Sequence, residues 1–215
     1  THWHFDHAEG NRAFGPTGST IIAHENSREF MKNNNNINIV LVEYPQQAYE
    51  NKSLPTITFK DEMKLNFNNN NISLHNFGPA HTTGDTIVFF KEENIIHFGD
   101  VLNIDSMVFI DSGNGGSLSG MIKNLEQALK IMNKETVVVP GHGQITNYET
   151  VKRYLEGLII TKQKLIEMIN NDMSLEEIIE NNPIKNLEEI LGDTTVLINR
   201  SYLSLTKDQT IEKEL

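Results

Sequence analysis

Four short runs rich in Ile, Val and Phe are each followed at once by a loop carrying His or Asp, and this repeated pattern constrains the chain more than any other feature. Thr20 to Ala23 precedes His24, Leu74 to Phe77 precedes the loop to His81, Ile95 to Phe98 precedes Asp100, and Thr136 to Val139 precedes His142. All four runs read as strands. Two hairpins are legible among them: Met63 to Phe67 and Ile72 to Phe77 flank a turn at Asn68 to Asn71, and Thr86 to Phe90 and Ile95 to Phe98 flank Lys91 to Asn94.

Helical periodicity fills much of the remainder. Leu118, Met121, Ile122, Leu125, Leu129 and Met132 recur at helix spacing from Ser117 onward, after a loop marked by Gly115 and Gly116. Asn147 is a candidate N-cap for a second helix with a stripe from Val151 to Ile169, and Ser174 with Glu177 fits a capping box opening a third, stopped before Pro183. Val196 to Leu205 reads as a last helix. Strands and helices interleave in both halves, which predicts an α/β (α+β) fold with helices packed on sheets.

The chemistry is concentrated at Thr1 to His7, T-H-W-H-F-D-H, where three His and an Asp fall within six residues. In an extended segment side chains alternate, so His2 and His4 project to one side and Trp3 to the other, toward the core. Asp6 and His7 fall where the chain turns into a loop and can be aimed at a second point, so one segment can serve two metals. A surface His cluster is the plain alternative for a lone H-x-H. G-P-A-H at Gly78 to His81, F-G-D at Phe98 to Asp100 and P-G-H-G at Pro140 to Gly143 weigh against it, because each sets another candidate ligand just after a strand.

Composition narrows the partners. With 38% hydrophobic and 22% charged residues the chain is of globular type, and at 215 residues it fits one domain. Acidic residues outnumber basic ones 29 to 18, giving a formal charge of -11 that disfavours nucleic acid. Cysteine is absent, so any metal is held by nitrogen and oxygen. No apolar run is long enough to span a bilayer. The runs Asn33 to Asn36 and Asn68 to Asn71 read as solvated turns. Because the chain opens at Thr1, directly on its most ligand-dense stretch, the natural N-terminus is expected upstream, and the compartment, periplasmic, secreted or cytoplasmic, is left open.

On these residues the sequence resembles the metallo-β-lactamase superfamily, whose signature H-x-H-x-D-H is followed in order by a third His, a bridging Asp and a final His. The stretches T-H-W-H-F-D-H-A-E-G-N, G-P-A-H-T-T-G-D-T and F-I-D-S-G-N-G-G-S resemble a bacterial branch of zinc hydrolases within it, related to glyoxalase II and β-lactamase-like proteins. The resemblance implies that His2, His4 and His81 bind one metal, that Asp6, His7 and His142 bind a second, and that Asp100 bridges them. It implies a four-layer αβ/βα sandwich, here lacking its first N-terminal strands, in which residues 1–146 form the metal-binding core and 147–215 a mainly helical C-terminal part.

The donor types suit zinc, two ions per chain, and an N/O site also accepts iron or manganese. Two cations about 3.5 to 4 Å apart would share a hydroxide at neutral pH for attack on a polarised carbonyl, with no Ser or Cys nucleophile needed. Asp6 is the candidate catalytic residue, handling the proton. Asp85 is read either as the partner orienting a metal-binding imidazole or as a turn cap. His75 and His97 read as structural residues within strands, and His24 follows a strand without partner spacing. The loop Phe109 to Gly116 reads either as a wall of the pocket or as an ordinary connection.

A cysteine-ligated β-lactamase is excluded. Val101, Leu102 and Asn103 stand where that class carries a Lys for the drug carboxylate, and no Lys/Arg cluster is present to grip glutathione. A small-molecule ester, thioester, lactone or lactam remains as substrate. The alternatives are a true β-lactamase of another class and a metal-binding module without turnover; a purely structural zinc domain fits seven ligands poorly.

Overall fold

The computed structural model describes residues 1–213, with side chains described through Lys207; residues 214 and 215 of the predicted helical C-terminal part lie outside it. In chain order the helices are α1 (Phe5–Ala8), α2 (Gly10–Phe14), α3 (Glu25–Met31), α4 (Leu118–Ile131), α5 (Tyr148–Asn170), α6 (Leu175–Asn181), α7 (Glu188–Leu191) and α8 (Thr194–Lys213). The strands are β1 (Ile22–His24), β2 (Asn35–Asn38), β3 (Glu43–Gln46), β4 (Ile57–Phe59), β5 (Glu62–Phe67), β6 (Asn70–His75), β7 (Ile87–Phe90), β8 (Ile95–His97), β9 (Val137–Val139) and β10 (Thr146–Asn147). Ile95 to Phe98 and Thr136 to Val139 contain β8 and β9, the runs at Thr20 to Ala23 and Leu74 to Phe77 overlap β1 and β6 by two residues each, and the expected mixed α/β organisation is present.

The main sheet has six strands in the order β10-β9-β8-β7-β6-β5. Every pairing in it is antiparallel except β8 with β9, which is parallel and is joined through α4. Both predicted hairpins form. The turn between β5 and β6 is tighter than the sequence suggested: Asn68 and Asn69 alone carry it, both with positive φ of 51° and 62°, a conformation Asn tolerates through its short polar side chain. A parallel pair, β1 with β4, and a hairpin, β2 with β3, lie outside this sheet.

One face of the sheet supplies Ile87, Ile96 and Val138 to a core that also holds Leu118, Met121 and Leu125 of α4, Tyr154 and Leu158 of α5 and Leu197 and Ile198 of α8. The helix starts are set locally: Ser117 accepts from the Gly120 amide, Asn147 from the Thr150 amide, and Ser174 with Glu177 forms the reciprocal capping box. A second, smaller cluster gathers round Trp3, with Ala8, Met31, Ile37, Leu54 and Phe109, and stacks the indole on Phe30 at 4.7 Å between ring centres. Trp3 therefore packs into this cluster, on the other side of the chain from the buried His2 and His4, as the expected alternation of side chains implies.

Strand direction positions the site. Since β6 is antiparallel to β7 and β7 to β8, β6 runs the same way as β8, and β9 is parallel to β8. The chain leaves β6, β8 and β9 at one end of the sheet, toward His81, Asp100 and His142. At this end β7 begins, and there the Thr86 amide donates to the Thr1 carbonyl at 2.8 Å, fastening the opening segment beside them.

A candidate metal centre at the sheet end

Three imidazoles meet in the interior. His81 Nε2 lies 3.1 Å from His2 Nε2 and 3.0 Å from His4 Nδ1, and all three side chains are buried. Their outer nitrogens are already committed. His81 Nδ1 donates to the Phe109 carbonyl at 2.7 Å, and His4 Nε2 donates to Asp111 Oδ2 at 3.0 Å; both partners only accept, which fixes the tautomers. With those tautomers His81 Nε2 and His4 Nδ1 turn lone pairs toward each other across 3.0 Å, an arrangement that a cation bound by both rings would relieve. Burial, then the neighbouring imidazoles, holds His2 well below the usual His range, and burial lowers His81 as well, so neither ring is made comfortable by a proton. Zn–N bonds of about 2.0–2.1 Å at tetrahedral angles would set ligand nitrogens about 3.3 Å apart, close to what is found.

A second group lies nearer the surface. His142 Nε2 is 3.3 Å from His7 Nε2 and 3.1 Å from Asp6 Oδ2, while His7 Nε2 is 3.3 Å from the same Asp6 oxygen. Asp100 sits between the groups: Oδ1 is 3.0 Å from His7 Nε2, and Oδ2 is 3.4 Å from His142 Nε2 and 3.8 Å from His81 Nε2. Oδ1 is buried, and its approach to His7 lacks the angle of a hydrogen bond, as expected where two donors face a common ion. Burial would raise Asp100, but His142 and His7 beside it hold it far below the carboxylate range. Burial would lower His7, yet Asp100 and Asp6 outweigh it and raise the ring to about 9. His142 is raised by Asp100.

Among the described residues, three trios offer donor atoms close enough to share an ion: His2, His4 and His81; Asp6, His7 and His142; and, between them, His2, His7 and Asp100. All seven residues singled out in the sequence are thus brought together. One local detail differs: Asp6 and His7 lie not in a loop but in the single turn of α1, where the His4 carbonyl accepts from the His7 and Ala8 amides at 3.1 and 3.0 Å. That turn aims Asp6 toward His142 without an intervening loop, while the His7 ring stays 4.3 Å from that of His2, between the two groups.

The loops are held by close backbone approach. A Cβ on Gly141 would fall 2.0 Å from Asp100 Oδ1 and 2.6 Å from the Gly99 carbonyl carbon, so the loop after β9 reaches Asp100 only as glycine. Asn103 then ties that loop down, its Oδ1 accepting from the His142 amide at 3.1 Å, while the Ile104 amide donates to the His142 carbonyl at 2.9 Å.

Asp85 does not support an imidazole. Its two oxygens accept from the Thr82 amide and hydroxyl at 2.8 and 2.7 Å, which is the turn-capping alternative. The carboxylate that meets one of the converging rings is Asp111, buried, and held also by Asn114 Nδ2 at 3.0 and 2.8 Å. Asp111 and the Phe109 carbonyl both belong to the glycine-rich loop, whose sequence signalled a role at the site but not which residues carry it. His24 caps α3 through its Nδ1, His75 bonds Ser73 at 2.8 Å, and His97 Nδ1 accepts from the Gly99 amide at 2.9 Å, so none of these three joins the trios.

Beside the site, a cavity of about 220 Å³ is walled by Phe5, Ile37, Ile39, Met107 and Phe109, with His4, Asp6, Asp100 and His142 at its floor. No helix among the described residues is long and apolar enough to cross a membrane.

Comparison with solved structures finds the same fold. A metallo-beta-lactamase from Pontibacter korlensis matches with TM-score 0.56 and 18% identity, over 74% of this chain and 66% of that one. The DIM-1 metallo-beta-lactamase matches with TM-score 0.57 and 22% identity, over 75% and 67%. The BLEG-1 B3 metallo-beta-lactamase matches with TM-score 0.56 and 21% identity, over 69% of each. The matches thus span about two thirds of the length of those proteins. Comparison with functionally curated proteins returns no significant match. The sequence model of the metallo-beta-lactamase superfamily matches residues 1–142, which takes in all seven of the converging side chains. With that match over most of its length, and with the fold shared, the chain belongs to the metallo-β-lactamase superfamily.

Proposed function

We propose that this protein is a hydrolase working with two divalent cations, zinc by its donor set, on an ester, thioester, lactone or lactam of a small molecule. The observation that carries the reading is the pair of facing lone pairs at His81 Nε2 and His4 Nδ1, 3.0 Å apart in a buried site whose outer nitrogens are both engaged. His2, His4 and His81 would hold one cation and Asp6, His7 and His142 the other, with Asp100 reaching toward both groups. When bound, such a pair supplies Lewis acidity to a carbonyl and lowers the pKa of water from about 15.7 toward about 7.

The protein's own part is orientation and proton handling. Asp111 and the Phe109 carbonyl fix the His4 and His81 rings, so their donor atoms are aimed before any substrate arrives. Asp6 is the one carboxylate of the set that is about one third exposed at its side chain, and it borders the cavity. Against the effect of partial burial, His7 holds Asp6 below the usual Asp range, so it is ionised at neutral pH and its carboxylate is able to accept a proton from an attacking water.

The test is metal analysis of the purified protein followed by a panel of chromogenic ester, thioester, lactone and cephalosporin at neutral pH. Two equivalents of zinc and turnover on at least one member are expected. Bound metal with no turnover on any would leave a metal-binding module, and no metal would remove the reading altogether.

A further inference from the structure

The walls of the cavity say something about the molecule it accepts. Phe5, Ile37, Ile39, Met107 and Phe109 line it together with the uncharged polar Asn103 and Ser106, and none of the residues lining it is Lys or Arg. The titratable groups that do line it are His4, Asp6, Asp100 and His142, all of them among the converging donors on the floor. Nearby cations are engaged elsewhere: Arg200 is buried and gives its NH2 to the Asn38 side chain, and Lys207 Nζ donates to the Ser112 carbonyl at 2.8 Å. Neither lines the cavity.

A substrate whose reacting carbonyl sits over the floor must place the rest of its acyl group against these walls. An apolar group gains there by leaving water, in proportion to the area covered. A carboxylate or phosphate held against these walls, away from the floor, loses hydration and meets no Lys or Arg, and Asn103 and Ser106 return only part of that cost through uncharged hydrogen bonds. The overall charge of -11 adds no attraction for an anion on approach.

Building on the metal-site reading above, we propose that the cavity selects an uncharged substrate with an apolar acyl group and discriminates against acyl groups that end in an anion. Ile39, at the junction of β2 with its turn and outside the donor set, is the position where this preference can be reversed.

The experiment is isothermal titration of the zinc-loaded protein with three hydroxamates that share a metal-binding head: acetohydroxamate, hexanohydroxamate and succinate monohydroxamate. Hexanohydroxamate is expected to bind about tenfold tighter than acetohydroxamate, and the succinate probe no tighter than acetohydroxamate. In Ile39→Lys, with zinc content unchanged, the succinate probe should gain and hexanohydroxamate lose. Equal binding of the two-carbon and six-carbon probes, or a succinate probe that matches hexanohydroxamate in the unaltered protein, overturns the proposal while leaving the metal site standing. Zinc-loaded protein that binds none of the three overturns this proposal alone, and a protein that takes up no zinc overturns the metal-site reading and this one with it.

Discussion

Asp111 Oδ2 lies 3.0 Å from His4 Nε2, both side chains are buried, and 107 positions separate them in sequence. The contact holds His4 in the tautomer that leaves Nδ1 free to face His81. Replacing Asp111 with Ala should lower zinc affinity by about 10- to 100-fold, the usual cost of removing a carboxylate from a ligand imidazole. Asp111→Asn, whose side-chain oxygen still accepts, should lose less. A chelator-competition titration measures both, and an Ala variant with unchanged affinity would show that His4 is oriented by packing alone.

Asp85 offers the contrasting case. Its bonds go to Thr82, so Asp85→Ala should cost about 1–3 kcal/mol of stability by stranding a buried amide, with zinc affinity altered less than in Asp111→Ala. Urea unfolding beside the same titration separates the two carboxylates; a larger loss of zinc from the Asp85 variant would reverse their roles.

Asp6 touches His7 and His142 but not the buried trio. In Asp6→Ala the first equivalent of zinc should stay tight, the second weaken, and turnover on any substrate found by the panel fall by at least about 100-fold, the scale of a lost general base. Plasma emission analysis with initial rates tests this, and undiminished turnover would take the proton from Asp6 and give it to another group.

Protons compete differently at the two groups of donors. Burial keeps His2 and His81 uncharged at neutral pH, so the first equivalent should bind with little change between about pH 7 and 9. His7, raised to about 9 in the metal-free protein by Asp100 and Asp6 against the effect of burial, must lose its proton to coordinate. Binding of the second equivalent should therefore tighten as pH climbs toward about 9. The folding linkage has the opposite sense: a raised His stabilises the metal-free fold fully below its unfolded value of 6.5, and that contribution is lost as pH passes about 9. Denaturation of chelator-treated protein should thus show stability falling at the alkaline end. Second-site affinity that is flat with pH would contradict the assignment of His7.

Gly141 has no room for a side chain, since a Cβ there would strike Asp100 and Gly99. Gly141→Ala should cost about 1–3 kcal/mol by overpacking and reduce bound zinc through displacement of Asp100 and His142. Circular dichroism with metal analysis checks it; full zinc occupancy would mean that the loop after β9 yields more readily than its backbone contacts suggest.

Much of the local structure was legible before folding. The strand runs, both hairpins, the caps at Asn147 and Ser174 and the inward turn of Trp3 each depend on a few neighbouring residues, and periodicity and side-chain chemistry report such things directly. The Asn68–Asn69 turn and the helical turn at Phe5–Ala8 were read less sharply. In the first, several Asn in a row offer no unique register, and in the second, a single turn is too short to show a period.

The inventory of donors was written in the chain: imidazole and carboxylate without thiol, placed just after apolar runs, which the absence of Cys and the order of motifs determine by themselves. Folding decided which of them meet. Because β6, β8 and β9 run in one direction, their following loops open at a single sheet end, and strand direction depends on pairings between residues far apart in sequence. The choice of Asp111 over Asp85 as the partner of an imidazole has the same origin: Thr82 is three residues from Asp85 and claims it locally, whereas His4 reaches Asp111 only once the two cores have brought the ends of a 107-residue separation within a hydrogen bond.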